Sequence, residues 1–163
     1  MAKASAKQPP EKGKKTPRIS NRRAFHDYHV LEKVEAGLEL LGTEVKSLRA
    51  GNAGLENAYA AIRGGQVFLV DAEIAIYPQA VGSLQHEPLR TRRLLLHRSQ
   101  IRQLQVHAEQ KGHTLIPLAL YFKGGWAKCE IAAAIGKKLY DKRATLQKRQ
   151  QERDIAREMR RRE

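Results

Sequence analysis

Two stretches of this chain share one pattern, and together they decide what it can fold into. Residues 59–63 and 66–70 flank Gly64-Gly65, and residues 118–122 and 126–133 flank Gly124-Gly125. A two-residue Gly-Gly loop takes the positive φ angles of the tight turns that match strand twist. Both stretches therefore read as antiparallel hairpins. Residues 71–77 read as a further strand. Residues 114–122 are apolar on both faces, which places that strand centrally. Residues 24–41 read mainly as strand, with Tyr28, Val30 and Val34 on one face and His29, Leu31, Lys33 and Glu35 on the other. Gly37 is expected to mark a bend or turn there between two strands. Gly42-Thr43 opens a short helix, capped by Thr43 and stopped by Gly51. Ser99 is expected to cap a second helix that runs to Lys111, with Ile101, Leu104 and Ala108 as its apolar stripe and Gly112 beyond it. About six short strands and a few helices predict a mainly β fold: a small antiparallel β-barrel of the oligonucleotide-binding type with flanking helices.

Charge divides the chain differently. Of the formal net charge of +14, residues 1–23 carry +7 and residues 137–163 carry +6. The 113 residues between them carry only +1. Residues 1–22, rich in Lys, Ala and Pro, are expected to be a disordered basic arm, because they cannot bury enough apolar surface to fold alone. Residues 23–136 form the expected domain. Residues 137–163 have high helix propensity but little apolar content, so they are expected to be disordered alone and helical only against a partner. A polyanion is the expected partner, nucleic acid ahead of an anionic membrane. Neither arm has the amphipathic face with aromatic or Leu anchors that a membrane surface requires. No run reaches the roughly 18 apolar residues of a span, and the N-terminus has no apolar signal core. The lone Cys129, in an apolar run, reads as a buried thiol in a reducing cytoplasm.

Catalytic and metal motifs are missing from the sequence. His26 and His29 fall on opposite faces of a strand and cannot chelate one metal. One Cys makes no Cys-based zinc site, and no nucleophile elbow or P-loop is present. The chain is therefore expected to be a non-enzyme without metal or cofactor. The Gly-x-x-Gly at Gly51–Gly54 reads as a helix stop plus turn in preference to an RNA clamp. Arg90, Arg92 and Arg98 share one face if their segment is extended. They read equally as phosphate contacts or as a solvated charge run beside Leu94-Leu95-Leu96, and the basic arms favour RNA. Trp126 and Lys128 point the same way along one strand, with Tyr121 on the facing strand. That pairs an aromatic with a cation on a barrel surface, as RNA recognition uses. A core Trp is the competing reading.

Three blocks then stand in register: residues 42–51 (GTEVKSLRAG), residues 87–96 (EPLRTRRLLL) and residues 136–143 (GKKLYDKR). In this order and spacing the chain resembles the SsrA-binding protein family, also called small protein B, of bacterial trans-translation. The resemblance implies an oligonucleotide-binding-type barrel that binds transfer-messenger RNA (tmRNA) at its tRNA-like domain. It also implies assistance to aminoacylation by alanyl-tRNA synthetase, and escort with elongation factor Tu to stalled ribosomes, by a protein taken to be monomeric. Residue by residue, it assigns RNA contact to Glu35, Leu95, His97 and Lys128. His26 falls where the family faces the small-subunit decoding centre. Lys137, Lys138, Tyr140, Asp141, Lys142 and Arg143 fall on the tail motif, and the rest of the tail is implied to become a helix in the empty mRNA channel.

Glu35 is an unusual group to place against a polyanion. A carboxylate accepts hydrogen bonds from base or ribose donors, so it reads structure and not charge. Pairing of Glu35 with Lys33 or Arg49 is the alternative. Two other functions compete with the resemblance: a general RNA-binding or ribosomal protein with basic tails, and a metal-dependent nuclease on a barrel scaffold.

Overall fold

A computed structural model describes residues 16–80, 85–138, 148, 150–155, 157 and 159. In chain order the elements are β1 (Ile19–Ser20), α1 (Arg22–Asp27), β2 (Tyr28–Leu38), α2 (Gly42–Arg49), β3 (Ala53–Gly54), β4 (Tyr59–Arg63), β5 (Gln66–Val70), β6 (Glu73–Ile74), β7 (Arg92–Leu95), α3 (Arg98–Ala108), β8 (His113–Lys123) and β9 (Trp126–Gly136). Both Gly-Gly turns form as expected: φ is 55° and 69° at Gly64 and Gly65, and 59° and 82° at Gly124 and Gly125. These turns fix register, setting Arg63 opposite Gln66 and Lys123 opposite Trp126.

The strands close on themselves. The hydrogen-bonded order β8-β4-β5-β7-β2-β9 returns to β8, which gives a six-stranded antiparallel barrel with no open edge in the ring. β1 lies beside β8, with Ile19 opposite Leu120. Inside sit Val34, Ala36, Val67, Leu69, Leu94, Leu115, Leu120, Cys129, Ile131 and Ala133, joined by Leu48 of α2 and Leu104 of α3. Burial pushes the Cys129 thiol up to about 12, so it stays protonated and unreactive. Ala24, Ile116, Leu118, Ala132 and Ala134 form a second apolar cluster, with Tyr28 and Val30 against it. β8 is buried along most of its length, as its two apolar faces predict.

Several local expectations are corrected. Residues 24–27 are helical, not extended: Asn21 caps α1 by accepting from the Ala24 N–H at 3.0 Å. The buried Asn21 amide also donates to the Leu55 and Pro117 carbonyls, so α1 is held by a cap and not by propensity. The register of β2 against β9 shifts between Val30 and Glu32. Tyr28 and Val30 therefore lie on the opposite face from Val34. Gly37 lies within the continuous β2 and not at a bend. A Cβ built on it would stand 3.1 Å from the Leu95 Cβ, so glycine allows a close approach of β7.

Thr43 does not cap α2. The N-cap is Leu41, whose N–H donates to the Glu44 carboxylate at 2.7 Å. His97 takes the cap expected of Ser99, and α3 ends at Ala108, not Lys111. Of residues 71–77 only Glu73–Ile74 is strand, paired with β3 in a separate small sheet. The Gly-x-x-Gly segment is a helix stop, with φ of 85° at Gly51, leading into β3. In the tail, the described residues of 148–159 are helical and exposed.

Candidate nucleic-acid interface

Strand alternation puts Lys33, Glu35 and Gly37 of β2, Ala119, Tyr121 and Lys123 of β8, and Trp126, Lys128 and Glu130 of β9 on the outer barrel face. Residues from three strands, up to 97 positions apart in sequence, thus share one surface. Glu35 is its hub. The Tyr121 hydroxyl donates to Glu35 Oε2 at 2.5 Å, and Lys123 Nζ donates to both carboxylate oxygens at 3.1 and 3.2 Å. Lys128 Nζ lies 3.8 Å from Glu35 Oε1. The Tyr121 bond, then Lys123, holds the Glu35 carboxyl below its usual range. Burial and the Glu35 bond push the Tyr121 phenol up to about 12.

A second carboxylate organises the adjoining part of the face. Glu130 meets Arg18 at 2.5 Å and Lys33 at 3.7 Å. The Arg18 guanidinium lies over the Tyr121 ring, 4.7 Å from its centroid. Four cations thus surround two carboxylates. The result is a patterned array of donors and acceptors with a modest positive excess, not a bare basic patch. Apolar groups border it. Trp126 is 70% exposed and Leu95, against Gly37, is 50% exposed. Trp126 is therefore on the surface, which removes the core reading. Exposed aromatics beside cations form stacking platforms for bases.

The structure thus brings Glu35, Leu95, Trp126 and Lys128 together. His97 stays exposed just beyond β7, where its ring accepts from the Ser99 N–H as the α3 cap. The arginine block departs from expectation. Arg92 is 0% exposed: its Nε donates to Glu44 at 2.9 Å, and its other nitrogens donate to the Ala72, Arg90 and Pro88 carbonyls. Arg90 pairs with the same Glu44, at 2.8 Å. Burial pushes the Glu44 carboxyl up, but the Arg90 bond, the Leu41 amide and the guanidinium charges together bring it below its usual range. Arg92 is consequently an internal strut and not a phosphate contact, because strand β7 turns that side chain inward. Arg90 is committed to the same carboxylate. Arg98 opens α3 and does not continue an extended row.

Residues assigned to the ribosome also meet in space where they are described. His26, in the last turn of α1, bonds Asp27 Oδ1 through Nδ1 at 2.9 Å. The Lys137 N–H donates to the Asp27 carbonyl at 2.8 Å, and Lys137 Nζ donates to the Phe25 carbonyl at 3.1 Å. The C-terminal segment therefore leaves the barrel beside His26, with Lys138 next to it. Tyr140, Asp141, Lys142 and Arg143 lie outside the described residues.

Arg18, Lys123 and Glu130 were not identified from sequence, and Lys33, read there as an alternative partner of Glu35, lies 3.7 Å from Glu130 instead. The hairpin register carried a usable signal: with Gly124-Gly125 as the turn, Lys123 must oppose Trp126 and Tyr121 must oppose Lys128. Among the described residues no group of three or more His, Cys, Asp or Glu could hold a metal ion. No helix among them is long and apolar enough to cross a membrane.

A closed barrel presenting aromatics, paired carboxylates and surplus cations on one face defines an oligonucleotide-binding-type RNA-binding protein. The SmpB protein family matches residues 18–161. The chain is 50% identical over 141 residues to the SsrA-binding protein of Microcystis aeruginosa, covering 86% of this chain and 92% of that one. It is 49% identical over 142 residues to the SsrA-binding protein of Burkholderia thailandensis, covering 87% and 96%. A solved chain described as "tmRNA-SmpB: a journey to the center of the bacterial ribosome" superposes with a TM-score of 0.65 at 45% identity, covering 76% of this chain and 86% of its own. The chain belongs to the SmpB family, whose members are RNA-binding proteins and not enzymes.

Proposed function

We propose that this protein binds tmRNA through the outer face of β2, β8 and β9 and carries it to ribosomes stalled without a complete codon, for trans-translation. The observation that carries this reading is the convergence of Glu35, Lys128, Trp126 and Leu95 on one exposed face, in a chain about half identical to SsrA-binding proteins. Glu35 is fully charged and ringed by donors, so it is ready to exchange a lysine for a ribose hydroxyl or a base amino group. Lys123 and Lys128 are then released to phosphate. Trp126 and Leu95 offer apolar contact to unstacked bases. The RNA segment held is the tRNA-like domain.

His26, with Lys137 and Lys138, faces the small-subunit decoding centre. Residues 140–143 and the helical tail run on into the mRNA channel. The adjacency of His26 and Lys137 supports this, because it lets one docking event orient both. Alanyl-tRNA synthetase and elongation factor Tu join through the bound RNA, and the protein acts as a monomer.

Two measurements test the reading. Sequencing of RNA that copurifies with the protein should return one dominant species, tmRNA; a broad RNA population would favour a general RNA-binding protein. Removing residues 144–163 should leave affinity for isolated tmRNA unchanged and abolish tagging of stalled products. Equal loss of both would refute the separation of barrel from tail.

A further inference from the structure

The proposed RNA face accounts for neither Lys46 nor Arg49. Both lie on α2, three residues apart and so on one side of the helix. They line an open cleft of about 470 Å³ with Asn52, Tyr77, Pro78 and Gln79. Lys46 Nζ lies 5.1 Å from the Tyr77 ring centroid, and the Arg49 guanidinium lies 5.3 Å from that of Phe122. The aromatic contacts hold both stems without neutralising their charge. Elsewhere the described barrel cations are largely spoken for: Arg90 and Arg92 by Glu44, Arg93 by Glu39, Arg18 by Glu130, and Lys123 by Glu35. Lys46 and Arg49 have no such carboxylate partner among the described residues.

The cleft is also built into the fold. Ala50 and Asn52 line it from the α2–β3 corner, and Gly51 between them has φ of 85°. The Ala75 N–H donates to the Asn52 carbonyl at 3.0 Å, which fastens the segment before Tyr77 to that corner. Nor is the cleft remote from the outer face. Pro17 packs on Gly51, within 3.4 Å of a Cβ built there, and the next residue, Arg18, lies over Tyr121. Two consecutive residues therefore bridge the cleft and the Glu35 face.

From this we infer that the cleft is a second RNA subsite, which takes one unpaired nucleotide of the bound tmRNA. Lys46 and Arg49 grip its phosphate, and guanidinium geometry suits that role. Its base lies against Tyr77 and Pro78, within reach of the Asn52 and Gln79 amides. The volume falls in the range of small-ligand clefts, roughly 300–1,000 Å³. The inference rests on the chain being a tmRNA-binding protein, but not on the Glu35 face being the main contact.

Filter binding of purified full-length protein to transcribed tmRNA across a salt series tests it. The double variant Lys46→Gln/Arg49→Gln should weaken binding about tenfold and flatten the salt dependence by about one to two units of slope, roughly one per lost phosphate contact. Tyr77→Ala should weaken binding with the slope unchanged, and Lys46→Arg/Arg49→Lys should restore most of the affinity. In the unaltered protein, tmRNA should protect Lys46 from acetylation by acetic anhydride, a readout that no folding defect can mimic. Full affinity and slope in the double variant, with Lys46 unprotected, would overturn the subsite. If Lys128→Ala still weakens binding in that case, the Glu35 face stands alone. If the double variant loses affinity while Lys128→Ala does not, the subsite holds and the Glu35 face falls.

Discussion

The Tyr121 hydroxyl donates to the Glu35 carboxylate at 2.5 Å, from β8 to β2, across the strand β9 that lies between them. This bond ties together the two outer strands of the proposed RNA face and is the largest influence holding the carboxyl of its central acceptor below the usual range. Tyr121→Phe removes the largest influence that holds the Glu35 carboxyl low. The Glu35 pKa, followed by NMR titration, should rise towards its ordinary value of 4.5. Affinity for tmRNA should fall a few-fold with the barrel intact. An unmoved Glu35 titration would show that Tyr121 does not govern it.

The same pair gives two opposite pH dependences. The folded-state pKa of Glu35 is lowered, so its contribution to stability is present above the unfolded value and is lost as pH falls through the folded one. The Tyr121 pKa is raised from 10.0 to about 12, so its contribution is complete below pH 10 and lost as pH rises towards 12. Urea midpoints measured across both windows should fall at each end. In Tyr121→Phe the alkaline fall should shrink, and an undiminished alkaline fall would assign it to other groups.

Arg92 should behave as a structural residue. Arg92→Ala leaves Glu44 buried with one partner fewer, and breaking a buried pair costs about 3–5 kcal/mol. Urea unfolding should show that loss. The salt dependence of tmRNA binding by the protein that remains folded should not change. A reduced slope would return Arg92 to the RNA interface.

Gly37 should matter through its neighbour. A Cβ there would meet the Leu95 Cβ at 3.1 Å, so one of the two strands must give way. Gly37→Ala should destabilise the barrel by about 1 kcal/mol, at the low end for overpacking. It should also displace Leu95 and weaken RNA binding more than that loss of stability explains. Wild-type affinity with a lowered midpoint would leave Leu95 without a role in binding.

These residues also show where sequence was and was not sufficient. Gly64-Gly65 and Gly124-Gly125 dictate their hairpins because few other residues take positive φ twice in succession. That made the barrel and the pairing of Tyr121 with Lys128 readable. The shifts at Val30/Glu32 and Pro117/Ala119 were not, because the extra residue of a bulge has no required side chain. Each shift reverses the in-and-out phase beyond it, which is why Tyr28 and Val34 part company.

Arg92 was misplaced for a related reason. Alternation shows that Arg90, Arg92 and Leu94 share a face, but not which face is inside. Leu94 on that face, and a carboxylate at Glu44 in the preceding helix to receive an inward guanidinium, were the available clues. Helix α1 was hidden because six residues held by the Asn21 cap leave no periodicity to detect.

The most direct measurement is the affinity of Lys128→Ala for tmRNA at physiological salt, alongside its urea midpoint. Lys128 reaches Glu35 from a partly exposed position and is not part of the core. If the outer face of β2, β8 and β9 holds the RNA, affinity should drop about tenfold while the unfolding free energy from the urea curve stays within about 0.5 kcal/mol of the unaltered protein, as for a surface substitution. Unchanged affinity would contradict the assignment of this face to tmRNA.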